Sequence, residues 1–189
     1  MNQRQKKNRL ELRFAGSGGQ GLLTSGFILA YALGICEDKE VIQTQSYGPE
    51  ARGGSSRADV IFSDQKIYNP HIESLDLLLC LNQESCDKYA HLLDRNGTLI
   101  IDTGVVKPPP DIKSVGGPFS RLAKDKLKKE LVTNIIALGF IGSYTHIVSQ
   151  NSLKKALQAK FGSRFQELNQ KALALGFKIG EATLSEYKV

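Results

Sequence analysis

One junction near the start of the chain constrains the fold more than any other feature. Residues 10–14 alternate apolar and polar side chains, which is typical of a β-strand with one buried face. The glycine-rich stretch Gly16–Gly21 follows at once and leads into an apolar segment from Gln20 to Ile35. That segment is too continuous for a surface strand and too long for a turn, so it favours a largely buried helix. Strand, glycine turn and helix form the opening of a βαβ unit, and we predict an α/β fold.

The remainder of the chain predicts strands in its first half and helices in its second. The predicted strands are Val41–Thr44, Arg57–Phe62, Lys66–Tyr68, Asp76–Leu81, Gly97–Asp102 and Ile112–Val115. The predicted helices are Gln83–Leu93, Ser120–Lys129, Leu131–Tyr144, Ser152–Phe161 and Arg164–Lys178. Lys66–Tyr68 is expected to pair with Arg57–Phe62 as a β-hairpin, whereas the continuous apolar run Asp76–Leu81 indicates a central parallel strand. We expect a Rossmann-like, mostly parallel sheet flanked by helices, with a helical C-terminal segment.

The composition is that of an ordinary globular protein, with 41% hydrophobic and 23% charged residues in a chain of 189. Leu131–Tyr144, the longest apolar-rich run without a charge, is shorter than the roughly 20 residues of a membrane-spanning helix, so no membrane segment is predicted. Residues 1–9 are basic and lead into a strand rather than into an apolar secretory core. We therefore expect a basic N-terminal tail over residues 1–9 and a cytoplasmic protein.

The net charge of +6 belongs to the two ends of the chain. Residues 1–13 carry five basic and one acidic side chain, and residues 151–189 carry seven and three, which gives +4 for each end. The 13 basic and 15 acidic side chains between them leave −2. Basic ends of this kind are compatible with an acidic partner, with RNA or with simple solvation, and no nucleic-acid motif accompanies them. We expect no nucleic-acid partner.

The glycine turn has several interpretations. Gly16, Gly18 and Gly21 match G-x-G-x-x-G, a spacing that gives a tight turn, close backbone approach to a phosphate and a helix N-terminus that favours an anion. The acidic residue that grips a ribose is missing, because residues 37–40 precede the second strand and its far end carries Gln45 and Ser46. A Walker lysine is also absent, which disfavours ATP. The remaining alternatives are another phosphate-bearing ligand and a turn that only lets the helix pack tightly on the strand.

A second glycine-rich loop is predicted at Tyr47–Gly54, because Pro49 and three glycines disfavour any regular element. Arg52 stands beside two of these glycines, where its guanidinium and the exposed N–H groups can meet an anion or a partner's carboxylate. The alternative is a charged turn on the surface.

Other chemistry-bearing residues are sparse. Cys36, Cys80 and Cys86 show no C-x-x-C spacing, so the chain supplies neither a zinc site nor a four-cysteine cluster, and Cys36 and Cys80 lie in apolar runs typical of core residues. The three histidines are scattered, and we predict no catalytic and no metal-binding residue. Asn134 and Asn169 lie in helical patterns, where a buried amide that satisfies backbone groups is favoured over catalysis.

Four separated blocks carry a resemblance to a known family. They are Gly16–Gly21, Ser46–Gly54, Asn134–Gly139 and Asn169–Gly176. In this order the blocks resemble the gamma subunit of 2-oxoacid:ferredoxin oxidoreductases, over about residues 10–178. The form Tyr-Gly-Pro-Glu-Ala-Arg-Gly-Gly followed by Ser-Arg-Ala-Asp-Val-Ile61 is most similar to the branch that acts on 2-oxoglutarate. The resemblance implies a single gamma-type domain over residues 10–189.

The resemblance also implies a complex that decarboxylates a 2-oxoacid on thiamine diphosphate, transfers the acyl group to coenzyme A and reduces ferredoxin or a similar acceptor through iron-sulfur clusters. Alpha and beta subunits, and in some systems a ferredoxin-like delta subunit, would supply thiamine diphosphate, magnesium and the clusters. For this chain the implied ligand is coenzyme A at its surface, or the interface that closes the coenzyme A pocket. The candidate cofactor-binding residues are Gly16, Ser17, Gly18, Gly19, Gln20, Gly21, Tyr47, Glu50, Arg52, Gly53 and Gly54.

Two functions from other classes stay open at this point. A free-standing Rossmann-like module would bind a nucleotide alone and use its basic ends on an acidic partner. An NAD-dependent dehydrogenase would transfer hydride by itself, and the missing ribose acid argues against it.

Overall fold

A computed structural model describes residues 8–47, 55–163 and 165–186. Its strands are β1 (Arg9–Ser17), β2 (Glu40–Tyr47), β3 (Ser55–Ser63), β4 (Leu75–Cys80), β5 (Leu93–Asp102) and β6 (Ser114–Gly117). Its α-helices are α1 (Leu22–Tyr31), α2 (Gln83–Tyr89), α3 (Phe119–Leu127), α4 (Thr133–Thr145), α5 (Gln150–Phe161) and α6 (Gln166–Glu186). α1 continues into a π-helical turn at Ala32–Cys36, and 3-10 turns occupy Ala90–Leu92 and Glu130–Val132. Within these ranges no helix is both long enough and apolar enough to cross a bilayer.

The six described strands form one sheet in the order β2-β3-β1-β4-β5-β6. β1, β4, β5 and β6 pair in parallel, while β3 lies antiparallel between β1 and β2. Five of these strands therefore point the same way and one is reversed. The predicted α/β class, with a mostly parallel sheet, flanking helices and a helical C-terminal segment, is confirmed.

The central strand β4 is covered on both faces, as its apolar run predicts. Leu77 and Leu79 belong to the core that packs under α1, α4 and the C-terminal helices, whereas Leu78 and Cys80 belong to a second core beneath α2. Alternate residues of β1 divide in the same way, with Phe14 in the first core and Ala15 in the second.

The predicted hairpin between Arg57–Phe62 and Lys66–Tyr68 is wrong. β3 pairs with β1 along one edge and with β2 along the other, over nine and eight residue pairs. Because both edges of β3 are occupied, no edge is left for Lys66–Tyr68, which forms no regular element. Cys36 also departs from its predicted core position, since it is partly exposed at the end of the π-helical turn, whereas Cys80 is buried.

α4 and α6 pack so closely that glycine is required at their contact. A Cβ atom on Gly139 would lie 2.4 Å from the carbonyl oxygen of Leu173, and one on Gly176 would lie 2.0 Å from that of Ile136. Further along, a Cβ on Gly180 would lie 2.8 Å from the carbonyl oxygen of Phe140. From the contact of Ile136 with Gly176 to that of Phe140 with Gly180, both helices advance by four residues, so α4 and α6 run parallel in near backbone contact.

Candidate functional site

The glycine turn lies where the sheet changes its direction of winding. The chain leaves β1 through α1 toward β2 on one side, and it leaves β4 through α2 toward β5 on the other. α1 and α2 cover opposite faces of the sheet. Since β1 and β4 are parallel neighbours, their carboxyl ends flank a topological switch point, the usual ligand site of open α/β sheets.

The backbone of the turn has the conformation that its glycines allow. Gly19 and Gly21 have φ angles of 92° and 74°, in the left-handed region that favours glycine. Gly21 is the N-cap of α1, and among the described residues no side chain caps the first turn of that helix. The first N–H groups of α1 therefore remain available at an end where the helix dipole favours negative charge.

Gln20 ties the turn to the sheet with its side chain. Its Oε1 accepts a hydrogen bond from the N–H of Ser17 at 2.7 Å, and its Nε2 donates to the carbonyl oxygen of Leu81 at 3.2 Å. Gln20 thus holds the turn in shape through a side chain of the turn itself. Its bond to the N–H of Ser17 also makes that group unavailable to a ligand.

Asn82 connects the turn to the next crossover helix. Its Nδ2 donates to Ser17 Oγ at 2.7 Å, while its Oδ1 accepts from the N–H of Ser85 and so caps α2. The predictions omitted Asn82, although its place between a buried strand and a helix is typical of an N-cap. The switch point is therefore bounded by amide side chains on both of its strands.

Asn134 reaches the same turn from α4. Its Nδ2 donates to the carbonyl oxygen of Gly21 at 2.9 Å, so the predicted role of this buried amide toward the backbone is confirmed. Its Oδ1 is buried and has no hydrogen-bond partner among the described residues. Asn169, the other predicted amide, is also buried, with 4% of its surface exposed.

The second predicted loop leaves the sheet beside the glycine turn. Ser55, which begins β3, is the register partner of Ser17, and Tyr47, which ends β2, is the register partner of Ser56. Both ends of the loop thus lie at the carboxyl edge that carries Gly16–Gly21. The candidate residues Glu50, Arg52, Gly53 and Gly54 lie outside the described residues, so their role stays a prediction.

The sheet face opposite α1 holds a cationic cluster that the sequence predictions missed. Arg13 forms two hydrogen bonds with Asp59, and its guanidinium carbon lies 4.7 Å from the ring centre of Tyr89. Arg57 lies 5.9 Å from the same ring centre and 3.9 Å from an oxygen of Asp59. No sequence signal distinguishes these residues from ordinary strand charges, because their contacts join separate strands and a helix.

These groups suit binding rather than bond-making. In the described ranges no three His, Cys, Asp or Glu side chains are grouped to hold a metal ion. The buried thiols of Cys80 and Cys86 interact, and the hydrogen bond to Cys86, followed by burial, raises the pKa of the Cys80 thiol. A neutral buried thiol is a poor nucleophile. The chemistry that the site offers is a set of backbone N–H groups for an anion.

Residues 11–179 match the pyruvate ferredoxin/flavodoxin oxidoreductase family. The chain belongs to this family. Among curated proteins, 2-oxoglutarate synthase subunit KorC of Methanocaldococcus jannaschii is 38% identical over 96% of this chain and 99% of its own length. The predicted resemblance, including its 2-oxoglutarate branch, is confirmed.

Two solved structures of this oxidoreductase family share the fold. The gamma subunit of keto/oxoacid ferredoxin oxidoreductase from Geobacter sulfurreducens is 40% identical, has a TM-score of 0.84 and aligns over 93% of this chain and 98% of its own. The 2-oxoglutarate:ferredoxin oxidoreductase of Magnetococcus marinus is 27% identical with a TM-score of 0.81, over 96% of this chain and 32% of that longer chain. That structure contains 2-oxoglutarate, coenzyme A and succinyl-CoA.

Proposed function

We propose that this chain is the gamma subunit of a 2-oxoglutarate:ferredoxin oxidoreductase and that its glycine turn contributes to binding coenzyme A. The complex would convert a 2-oxoacid, here 2-oxoglutarate, and coenzyme A to succinyl-CoA and carbon dioxide, with the electrons passed to ferredoxin or a similar acceptor. In this proposal residues 10–189 form one gamma-type domain that is inactive alone.

The observation that carries the proposal is the uncapped N-terminus of α1 at the switch point. Gly21 starts the helix with no side-chain cap, and the first turn contains no acidic residue that would repel an anion. Within the part of the chain that the structure describes, a Cβ atom on Gly19 would meet nothing within 4 Å. A phosphate of coenzyme A fits such a site without the ribose acid that a dinucleotide site requires.

The remaining candidate residues extend the proposed site along the same edge. Gly16, Ser17, Gly18 and Gln20 shape or flank the turn, while Tyr47, Glu50, Arg52, Gly53 and Gly54 would form its second side. The ends of the second loop support this arrangement, since Ser55 pairs with Ser17 and Tyr47 lies one strand further along the same edge, opposite Ser56. Arg52 would supply a guanidinium to a phosphate or to a partner's carboxylate.

The cofactors of the redox reaction belong to partner chains in this proposal. We propose alpha and beta subunits, with a ferredoxin-like delta subunit in some assemblies, as the chains that hold thiamine diphosphate, magnesium and iron-sulfur clusters. The three cysteines of this chain support that division, because Cys80 and Cys86 are buried in an apolar cluster and Cys36 lies apart from them.

Membership of a complex is tested by isolating the tagged chain from its source organism. We expect stoichiometric partner subunits and coenzyme A-dependent reduction of a viologen dye by 2-oxoglutarate. Preference for pyruvate would overturn the choice of substrate. A colourless, partner-free protein that binds nucleotides would instead favour a free-standing nucleotide-binding module.

The role of the glycine turn is tested by a matched pair of variants, Gly19→Asp and Gly19→Asn, in the isolated complex. Both residues impose the same steric demand at φ 92°, so the difference between them reports the added charge. A negative charge near a bound phosphate costs roughly 1 kcal/mol at the surface, so Gly19→Asp should raise the KM for coenzyme A about fivefold over Gly19→Asn. The KM for 2-oxoglutarate should be equal in the two variants. Equal KM values for coenzyme A would contradict the proposed site.

A further inference from the structure

We propose that Asn134 is the positioning residue of the glycine turn: it holds the N-terminus of α1 in the orientation that binds the anionic group of coenzyme A. This inference rests on the proposed function of the turn. It assigns a specific task to a side chain that lies 113 residues away in the sequence and comes from a different layer of the fold.

Asn134 contacts the carbonyl group at which α1 begins. The oxygen of Gly21 accepts the N–H of Ser25 at 3.0 Å, which is the first hydrogen bond within α1. The same oxygen accepts Asn134 Nδ2 at 2.9 Å and, at 3.4 Å, the hydroxyl of Ser25. Asn134 thus binds the residue at which the direction of α1 is set.

The contact between Asn134 and Gly21 is tight. A Cβ atom on Gly21 would lie 2.5 Å from Asn134 Nδ2 and 3.0 Å from its Cγ, so the amide rests directly on the backbone of the turn. The first turn of α1 cannot rotate toward α4 without meeting that amide. The orientation of its free N–H groups is therefore fixed by α4.

The side chain of Asn134 also has unmet hydrogen-bonding capacity among the described residues. Asn134 is 3% exposed, and its Oδ1 has no hydrogen-bond partner among the described residues. Rotating the amide by half a turn would bring Oδ1 against the carbonyl oxygen of Gly21, so the bond to Gly21 determines the orientation. A leucine of similar shape would avoid the unsatisfied oxygen. The buried oxygen without a partner has a free-energy cost, and a function of the bond between Asn134 and the turn would account for an asparagine at this position.

The test compares Asn134→Leu with Asn169→Leu in the purified complex. Asn169 is the matched control, because it is a similarly buried asparagine in the first turns of α6 and, among the described residues, shows no hydrogen bond to the glycine turn. Loss of one neutral hydrogen bond predicts a KM for coenzyme A that rises about three- to tenfold in Asn134→Leu. The KM for 2-oxoglutarate should stay unchanged, and the melting temperature should not fall, since an unsatisfied buried oxygen is removed.

A second variant, Asn134→Asp, keeps the inference testable if Asn134→Leu fails to fold. Asn134→Asp keeps the shape of the side chain but replaces the donor by a carboxylate oxygen, so it should raise the KM for coenzyme A at least as much. Asn169→Asp should have a smaller effect on that KM at a comparable loss of stability.

The outcomes separate this inference from the proposal on which it rests. An unchanged KM for coenzyme A in Asn134→Leu, with the expected response of Gly19→Asp, would overturn the role of Asn134 and leave the site standing. If neither Asn134→Leu nor Gly19→Asp raised the KM for coenzyme A, the proposed site would be overturned as well. Equal rises of this KM in the Asn134 and Asn169 variants, together with lower melting temperatures, would assign Asn134 a purely structural role and also overturn the inference.

Discussion

Arg13 and Asp59 face each other across the ladder between β1 and β3 and form a two-point ion pair. The two N–O distances are 2.7 and 2.8 Å, and the residues are only 5% and 6% exposed. Both charges are thus held away from water, and the Arg13 cation depends on Asp59 for its counter-charge. Tyr89, at the end of α2, covers the guanidinium of Arg13. The ion pair is thus linked to the helix that follows β4 at the switch point.

Replacing one partner of this pair should destabilise the protein strongly. Asp59→Asn leaves the Arg13 cation buried without its counter-charge, and we expect the free energy of unfolding to fall by about 3–5 kcal/mol. Urea denaturation measures this change. The exposed pair of Arg121 and Asp125 is the control, since Asp125→Asn should cost less than about 1 kcal/mol. Similar losses of stability for Asp59→Asn and Asp125→Asn would contradict a larger contribution of the buried pair.

The contact between α4 and α6 predicts an asymmetric response to adding one methyl group. Gly176→Ala places a Cβ 2.0 Å from the carbonyl oxygen of Ile136, so the helices must separate, at a cost of about 1–3 kcal/mol or more. In Gly34→Ala the nearest atom lies at 3.5 Å, and the gain in helix propensity should leave stability unchanged or higher by up to about 1 kcal/mol. Thermal unfolding of both variants checks this, and a tolerated Gly176→Ala would contradict the close packing.

The thiols should differ in reactivity. Cys36 is partly exposed, whereas Cys80 and Cys86 are fully buried, and the pKa of Cys80 is raised above its ordinary value. A raised pKa keeps the thiol protonated as the pH rises, so alkylation of Cys80 should stay slow even at about pH 9. Mass mapping after iodoacetamide treatment should find Cys36 modified first, with the buried pair modified only on unfolding. Modification of Cys80 at the rate of Cys36 in the folded protein would refute this order.

Gln20 should be sensitive to the exchange of its amide for a carboxylate. Gln20→Glu keeps the acceptor for the N–H of Ser17 but turns an oxygen toward the carbonyl of Leu81, at a cost of about 1–3 kcal/mol. We expect lower stability and a higher KM for coenzyme A. Gln83 is a matched control, because its amide bridges the backbone N–H and carbonyl of Lys107 in the same manner. If Gln83→Glu raised this KM equally, the effect of Gln20 would not be specific to the turn.

The parts of the fold that could be predicted are those determined by neighbouring residues. The glycine turn and the apolar run at Leu75–Cys80 each carry their signal within a few positions. The strands that pair with β3 could not be predicted in this way, because its pairing with β1 and β2 depends on residues far away in sequence. α6 extends eight residues beyond its predicted end at Lys178, since Gly180 serves a close contact with α4 and does not end the helix.

The candidate site also combines features that neighbouring residues determine with features that depend on remote residues. The positions of Gly16–Gly21 follow from the strand, turn and helix around them. The contacts of Asn82 and Asn134 to that turn join elements that are remote along the chain. The sequence can therefore indicate a capping or buried amide at these positions, but it does not show which group that amide contacts. The buried pair of Arg13 and Asp59 looks like two ordinary strand charges until the register places them opposite each other.

The remote supports of the glycine turn have a consequence for protein synthesis. Gln20 bonds to a residue 61 positions later and Gly21 to one 113 positions later. A nascent chain that ends before α4 carries the whole turn but lacks Asn134, so its helix N-terminus is not yet held in place. Full ligand affinity should therefore emerge only after most of the polypeptide has left the ribosome, and truncated translation products should bind the ligand more weakly.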